Sequence, residues 1–189
     1  MIPVKAFAAA KGRLREVMAA EERERLARAL ATVVVRAANQ LPVFVVTADE
    51  AVRAWARALG VAAVSDPGGG LDAAVEAGVA RVIEAELDIA VVAHGDLPFA
   101  TDLAWIAEFH GITLVPDRHG DGTNVIAIPV RSGFRFTYGV GSFARHLAEA
   151  RRLGLSLRVV RDSTLATDVD TPADLATLTA MNETRGPSW

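Results

Sequence analysis

Three aspartates stand where chemistry is expected. Asp96 lies in His94-Gly-Asp-Leu-Pro98, directly after the apolar run Ile89-Ala-Val-Val-Ala93. A carboxylate just past a buried strand is a natural hard-oxygen ligand for magnesium, although Asp beside a Pro turn is also ordinary loop chemistry. Asp168 and Asp170 alternate within Asp168-Val-Asp-Thr-Pro-Ala-Asp174. In an extended chain they point the same way, roughly 6–7 Å apart. Two uncompensated carboxylates repel, and a bound cation would resolve that. Thr171 as N-cap, Pro172 at N1 and Asp174 as capping-box partner explain the later part of this motif. They give no reason for Asp168.

Other residues suit anions. In Tyr138-Gly-Val-Gly-Ser-Phe-Ala-Arg-His146, glycines lead into a helical pattern. Free N–H groups and the positive end of the helix dipole would make an anion site there without net positive charge. Ser142 either caps that helix or contacts an oxyanion, capping being the commoner role. Arg145 could reach the same anion, whereas His146 is expected on a solvated helix face. The long loop Pro116-Asp-Arg-His-Gly-Asp-Gly-Thr-Asn124 places Thr123 where a hydroxyl and an N–H could meet a phosphate. Lys5, Lys11 and Arg13 follow the first strand, where cations commonly meet triphosphate charge.

Composition excludes much else. Cysteine is absent, which removes thiolate nucleophiles, zinc ribbons and disulfides and suits a reducing, cytoplasmic setting. The four histidines show no metal-ligand spacing. A net charge of -3 gives no general attraction to nucleic acid or an anionic membrane. No stretch is apolar enough to span a bilayer, and the first residues run into strand-like sequence without a signal-peptide pattern.

The elements that must position these groups alternate. Strands are expected at 2–4, 43–47, 61–65, 88–93, 112–115, 124–130 and 155–160, and helices at 21–38, 50–59, 71–86, 101–110, 142–153 and 172–181. Asp66-Pro-Gly-Gly-Gly70 is the strongest loop signal. Repeated β–α alternation predicts an α/β fold, a mainly parallel mixed sheet with helices on both faces. Ligands of such sheets bind beyond the carboxyl ends of the strands. At 189 residues one domain is expected, spanning 1–184, with a flexible tail at 185–189.

Five motifs in order carry a resemblance: Val4-Lys5 with Ala8-Ala-Ala-Lys-Gly-Arg-Leu14, Gly95-Asp-Leu-Pro98, Pro116-Asp-Arg with Gly122-Thr123, Gly139-x-x-Ser142, and Asp168-Val-Asp-Thr-Pro-Ala-Asp-Leu175. The chain resembles the CofC/FbiD guanylyltransferases of coenzyme F-420 biosynthesis over 2–178. The resemblance implies a Rossmann-like, nucleotide-diphospho-sugar-transferase-like fold. It implies transfer of GMP from GTP to phosphoenolpyruvate in bacterial members, or 2-phospho-L-lactate in archaeal ones. It makes Asp96, Asp168 and Asp170 the metal ligands for Mg2+, and Thr123, Gly139 and Ser142 the acceptor contacts. Asp72 stands where many members have Asn; should that loop meet guanine, a carboxylate would accept from the ring.

The implied chemistry needs no side-chain nucleophile, because the acceptor phosphate is already anionic. It needs alignment and charge neutralisation, which a pair of ions about 3.5–4 Å apart supplies. The expected partners are GTP and a small phosphorylated acid, with homodimerisation left open. The nearest rival is a molybdenum-cofactor or sugar-phosphate nucleotidyltransferase, usually opened by a glycine-rich loop that this chain replaces with Ala8-Ala-Ala-Lys-Gly-Arg. A haloacid-dehalogenase phosphatase is excluded because its Asp pair lies near the start of its domain. A non-catalytic phospho-ligand module is disfavoured, since three converging carboxylates trap anions poorly without metal.

Overall fold

The computed structural model describes residues 1–185. Its strands are β1 (Ile2–Pro3), β2 (Phe44–Thr47), β3 (Ala62–Ser65), β4 (Ile89–Ala93), β5 (Ile112–Pro116), β6 (Thr123–Pro129) and β7 (Leu157–Val159). Its helices are α1 (Ala20–Ala37), α2 (Glu50–Ala58), α3 (Leu71–Glu84), α4 (Ala104–Ala107), α5 (Ser142–Leu153), α6 (Ser163–Ala166) and α7 (Pro172–Arg185). The tail expected over 185–189 lies outside the described residues, apart from Arg185, which ends α7.

β1, β2 and β3 pair in parallel, while β4, β6, β5 and β7 form a second ladder in that order. The first residue joins the two. The Met1 amine donates to the Val91 carbonyl at 2.6 Å, and Ala93 N–H donates to the Met1 carbonyl at 3.1 Å. That offset is parallel pairing. The result is one mixed sheet, β3-β2-β1-β4-β6-β5-β7, in which β6 alone runs against the rest. The six-residue connection at 117–122 is too short for a crossover, so β6 must return antiparallel to β5.

Alternating strand residues feed two cores. Val45, Ala93, Val115, Val125 and Ala127 pack with α1, α2, α4 and α6. Phe44, Val46, Val92, Leu114, Ile126 and Ile128 pack with α3 and α5 on the other face. Near-continuous apolar strands are what a sheet covered on both faces requires.

Two elements differ from expectation. The helix expected at 101–110 shrinks to α4. Leu103 N–H is spent on the Ala37 carbonyl at 2.8 Å, and Asp102 accepts from Ala104 N–H at 2.8 Å, so the segment docks on the end of α1 before turning helical. The short α6 is additional. Asp162 caps it, accepting from the N–H groups of Thr164 and Leu165 at 2.7 and 3.3 Å.

Candidate active site

The carboxyl ends of β1, β3, β4, β5 and β7 share one edge of the sheet, and the loops beyond them are tied to one another. His94 N–H donates to the Asn124 carbonyl at 3.0 Å, and the Asn124 amide donates to the Leu165 carbonyl at 3.0 Å. Arg118 N–H reaches the Ala166 carbonyl at 2.8 Å, and Val169 N–H reaches the Asp96 carbonyl at 3.2 Å. Segments distant in sequence thereby deliver Asp96 and Asp168 to one place.

The two carboxylates feel each other. Burial, and next the charge of Asp96, raises the Asp168 carboxyl above the ordinary Asp value. Asp96 Oδ2 accepts from Lys11 Nζ at 2.6 Å, while its Oδ1 is buried without a partner. Lys11 is itself buried, at 7% side-chain exposure, and its backbone is left-handed at φ 54°, a costly conformation for a residue with a Cβ. Here the lysine spends its charge on Asp96 rather than presenting it to solvent.

Asp170 departs from the expected trio. Its Oδ2 accepts from Arg13 Nη1 at 2.7 Å, in a pair exposed on both sides. Among the described residues no group of three or more His, Cys, Asp or Glu side chains is arranged to hold a metal ion. Asp96 and Asp168 are the pair that could hold a divalent cation: together they offer an orphaned buried carboxylate oxygen and a like-charged neighbour, with a lysine ammonium against Asp96. Asp170 is anchored from behind by the start of α7. Asp174 Oδ2 accepts from the N–H groups of Asp170 and Thr171 at 2.9 and 2.6 Å, and Asp174 N–H reaches Thr171 Oγ1 at 3.3 Å, the capping box that the motif predicts. Burial works to raise the Asp174 carboxyl. These hydrogen bonds, with the charge of Arg118, nevertheless hold it below the ordinary value.

The anion loop is built differently from expectation. Gly139 and Gly141 take φ of 106° and 72°, and Gly141 rather than Ser142 is the N-cap of α5. Ser142 is the first helical residue, is buried, and cannot be the cap that commonly explains Ser at such a place. The N–H groups expected to be free are in use. Asp121 accepts from Gly141 N–H through Oδ2 at 3.1 Å and from Phe143 N–H through its carbonyl at 2.9 Å, and Ser142 N–H reaches the Gly139 carbonyl at 3.0 Å. A carboxylate from the β5–β6 loop thus occupies the anion seat.

Arg145 also turns inward. Its guanidinium donates to the carbonyls of Thr137, Tyr138 and Val140 at 2.6–3.2 Å, pinning the loop instead of reaching outward. Asp72, in the first turn of α3, accepts from Tyr138 N–H at 2.7 Å, which holds the other side of the loop. His146 is not on a solvated face. It has no solvent exposure, because α5 turns this side of its first two turns onto β6. Its Nε2 accepts from Thr137 N–H at 3.0 Å, so Nδ1 carries the proton toward Thr123 Oγ1, also 3.0 Å away. Burial lowers the imidazole to about 4, with Asp72 opposing and Arg145 and His94 adding. Thr123 is buried as well, its hydroxyl against that ring. Lys5 is exposed beyond β1.

His94, Tyr138 and Asp121 carried no role in the sequence reading. His94 stands two residues before Asp96, and Tyr138 immediately precedes Gly139. Their rings lie 5.5 Å apart, and Tyr138 packs edge-on to His146 at 4.9 Å. Adjacency to the two motifs was the available signal. An apolar cavity of about 230 Å³ lies at the opposite edge, among Met1, Leu41, Pro42, Leu87 and Leu103. It includes none of these polar groups and has no set of converging donors to fix a ligand.

The arrangement has the parts of a phosphoryl-group transfer site: paired carboxylates, basic side chains against them, and a glycine loop at a helix start. A family model described as "Guanylyl transferase CofC like" matches residues 1–185. A phosphoenolpyruvate guanylyltransferase of Sphaerobacter thermophilus is 37% identical over 188 residues, covering 94% of this chain and 90% of its own. A second, from Conexibacter woesei, is 36% identical over 191 residues, covering 94% and 85%. A putative nucleotide-diphospho-sugar transferase of Desulfovibrio desulfuricans superposes with a TM-score of 0.77 at 19% identity, over 96% of this chain and 86% of that one.

Proposed function

Because the chain belongs to the CofC-like guanylyl transferase family, we propose that it transfers GMP from GTP to phosphoenolpyruvate and releases pyrophosphate. The observation that carries this reading is the convergence of Asp96 and Asp168 beside Lys11, at the edge of the sheet that also holds the Gly139–Ser142 loop. In the reaction an oxygen of the acceptor phosphate bonds to the α-phosphorus of GTP and the bond to the bridging oxygen of the β-phosphate breaks. No proton need be removed, because the acceptor phosphate is ionised near neutral pH.

The chain's own task is alignment. Lys5 and Arg13 are at hand for the triphosphate, and Lys11 joins them on leaving Asp96. Asp96 and Asp168 would hold magnesium, with Asp170 the third candidate once Arg13 turns to nucleotide. Bound magnesium supplies charge neutralisation between the two phosphates and at the departing pyrophosphate. Thr123, Gly139 and Ser142 border the acceptor side, and an acceptor oxygen would take the Gly141 N–H that Asp121 holds. Asp72 supports this loop from α3, a structural duty that competes with direct contact to guanine.

The deciding experiment supplies GTP and magnesium with either phosphoenolpyruvate or 2-phospho-L-lactate and identifies products by mass spectrometry. Enolpyruvyl-diphospho-guanosine with one equivalent of pyrophosphate is expected from the first. Absence of GTP-dependent pyrophosphate release with both acids would overturn the reading.

A further inference from the structure

Buried polar atoms without partners are rare in folded proteins, and each demands a reason. Two of them belong to rings that pack against each other here. His94 Nε2 and Tyr138 Oη are both buried and make no hydrogen bond, and their rings are 5.5 Å apart. His94 lies between the two halves of the site. It is two residues from Asp96 in the sequence, and its ring packs against Tyr138 at the start of the glycine loop. Tyr138 opens that loop, with its ring stacked parallel on Phe136 and its backbone held by Asp72. Burial, followed by the Asp72 charge, raises its phenol, so it stays a protonated donor. The cation expected to meet an acceptor here, Arg145, is spent on loop carbonyls.

A phosphorylated acid brings two anions. Its phosphate must face the α-phosphorus of GTP, on the side of Asp96 and Asp168, and its carboxylate must then find donors nearby. We propose that His94 Nε2–H and Tyr138 Oη–H form a donor pair that binds this carboxylate and selects α-carboxylated acceptors. The proposal rests on the guanylyltransferase reading and adds specificity residues to it.

The test compares phosphoenolpyruvate with vinyl phosphate, which lacks only the carboxylate, in the wild type, Tyr138→Phe and His94→Gln. Acceptor kcat/KM is read from product mass spectrometry, and acceptor binding from calorimetry. Tyr138→Phe is expected to lower kcat/KM for phosphoenolpyruvate about 10- to 100-fold, the worth of one hydrogen bond to a charged group, while changing vinyl phosphate less than about twofold. His94→Gln, which keeps an amide donor, should lose less. The Tm of Tyr138→Phe should not fall, since an unpartnered hydroxyl stabilises nothing. Equal losses with both acceptors in both variants would make the pair structural, and no loss in either would leave only buried water there. Both outcomes overturn the proposal while the wild type still makes product. A wild type that neither turns over nor binds phosphoenolpyruvate overturns the underlying reading and the pair with it.

Discussion

At the scale of single residues, the site stores electrostatic cost. Asp168 is buried beside Asp96 and gains nothing from that neighbour without a cation. Asp168→Asn is therefore expected to raise Tm by about 2–4 °C in metal-free buffer, the response of a chain this size to ~1 kcal/mol, while ending pyrophosphate release. A lowered Tm with retained activity would remove Asp168 from the site. His146 gives a pH signature. Its imidazole titrates near 4 when folded and near 6.5 when unfolded, so the unfolded chain binds the extra proton first. Stability is thus complete above about 6.5 and drains away as pH falls toward 4, by on the order of 3 kcal/mol in total. Thermal melts from pH 7 to 4.5 should show the loss, and His146→Gln should flatten it. A variant that falls as steeply as the wild type would assign the loss to other groups. The residue types and spacings of Asp96, Asp168 and the glycine loop were legible in the chain. The partners were not: Lys11 on Asp96, Asp72 on Tyr138 and Asp121 on Gly141 are contacts between distant segments that no local pattern announces. His146 was misread for a related reason. A polar residue in an amphipathic helix looks solvated until a tertiary hydrogen-bonding pair is found for it.

At the scale of elements, the Thr137–Gly141 loop is a small framed device. Arg145 holds three of its carbonyls from α5, Asp72 holds it from α3, and Asp121 holds it from the β5–β6 connection. Arg145→Met removes one side of the frame without touching GTP. Acceptor KM should rise about tenfold while GTP KM stays within about twofold; steady-state kinetics with each substrate varied will tell, and a rise confined to GTP would place Arg145 on the nucleotide side. Helix α5 was readable to its bounds because its period and the flanking glycines agree. The segment 101–110 reads as a helix from the cap residues Thr101 and Asp102 and the stop at Gly111, whereas Leu103 spends its N–H docking on the end of α1 before the chain turns helical. The capping box of Thr171 and Asp174 was fully local and was read correctly. Its further duty, joining Arg118 of the β5–β6 loop to α7, was not visible.

At the scale of the whole molecule, the mixed sheet rests on two apolar cores, one on each face. Both are built from aliphatic and aromatic side chains of strands and helices. Chelation of divalent ions is expected to stop GTP-dependent pyrophosphate release, leaving the circular dichroism spectrum unchanged and lowering Tm by only a few degrees as the cation between Asp96 and Asp168 is lost. Turnover that survives chelation would exclude a metal role for Asp96 and Asp168, and unfolding on chelation would make the ion structural instead. The alternation of strands and helices sufficed to read a mainly parallel mixed sheet covered on both faces, and the short connection at 117–122 explains the antiparallel return of β6. The seam through Met1 was beyond reach, because two-residue strands carry no period. The bond from Val169 to Asp96 carries a last consequence, for synthesis. Residue 169 leaves the ribosome about 70 residues after Asp96, a delay of roughly 4–14 s at 5–20 residues per second. Throughout that interval a nascent chain can assemble most of its sheet yet lacks Asp168 and Asp170. Assembly of the Asp96–Asp168 site therefore waits on a segment made well after the strand that carries its first half.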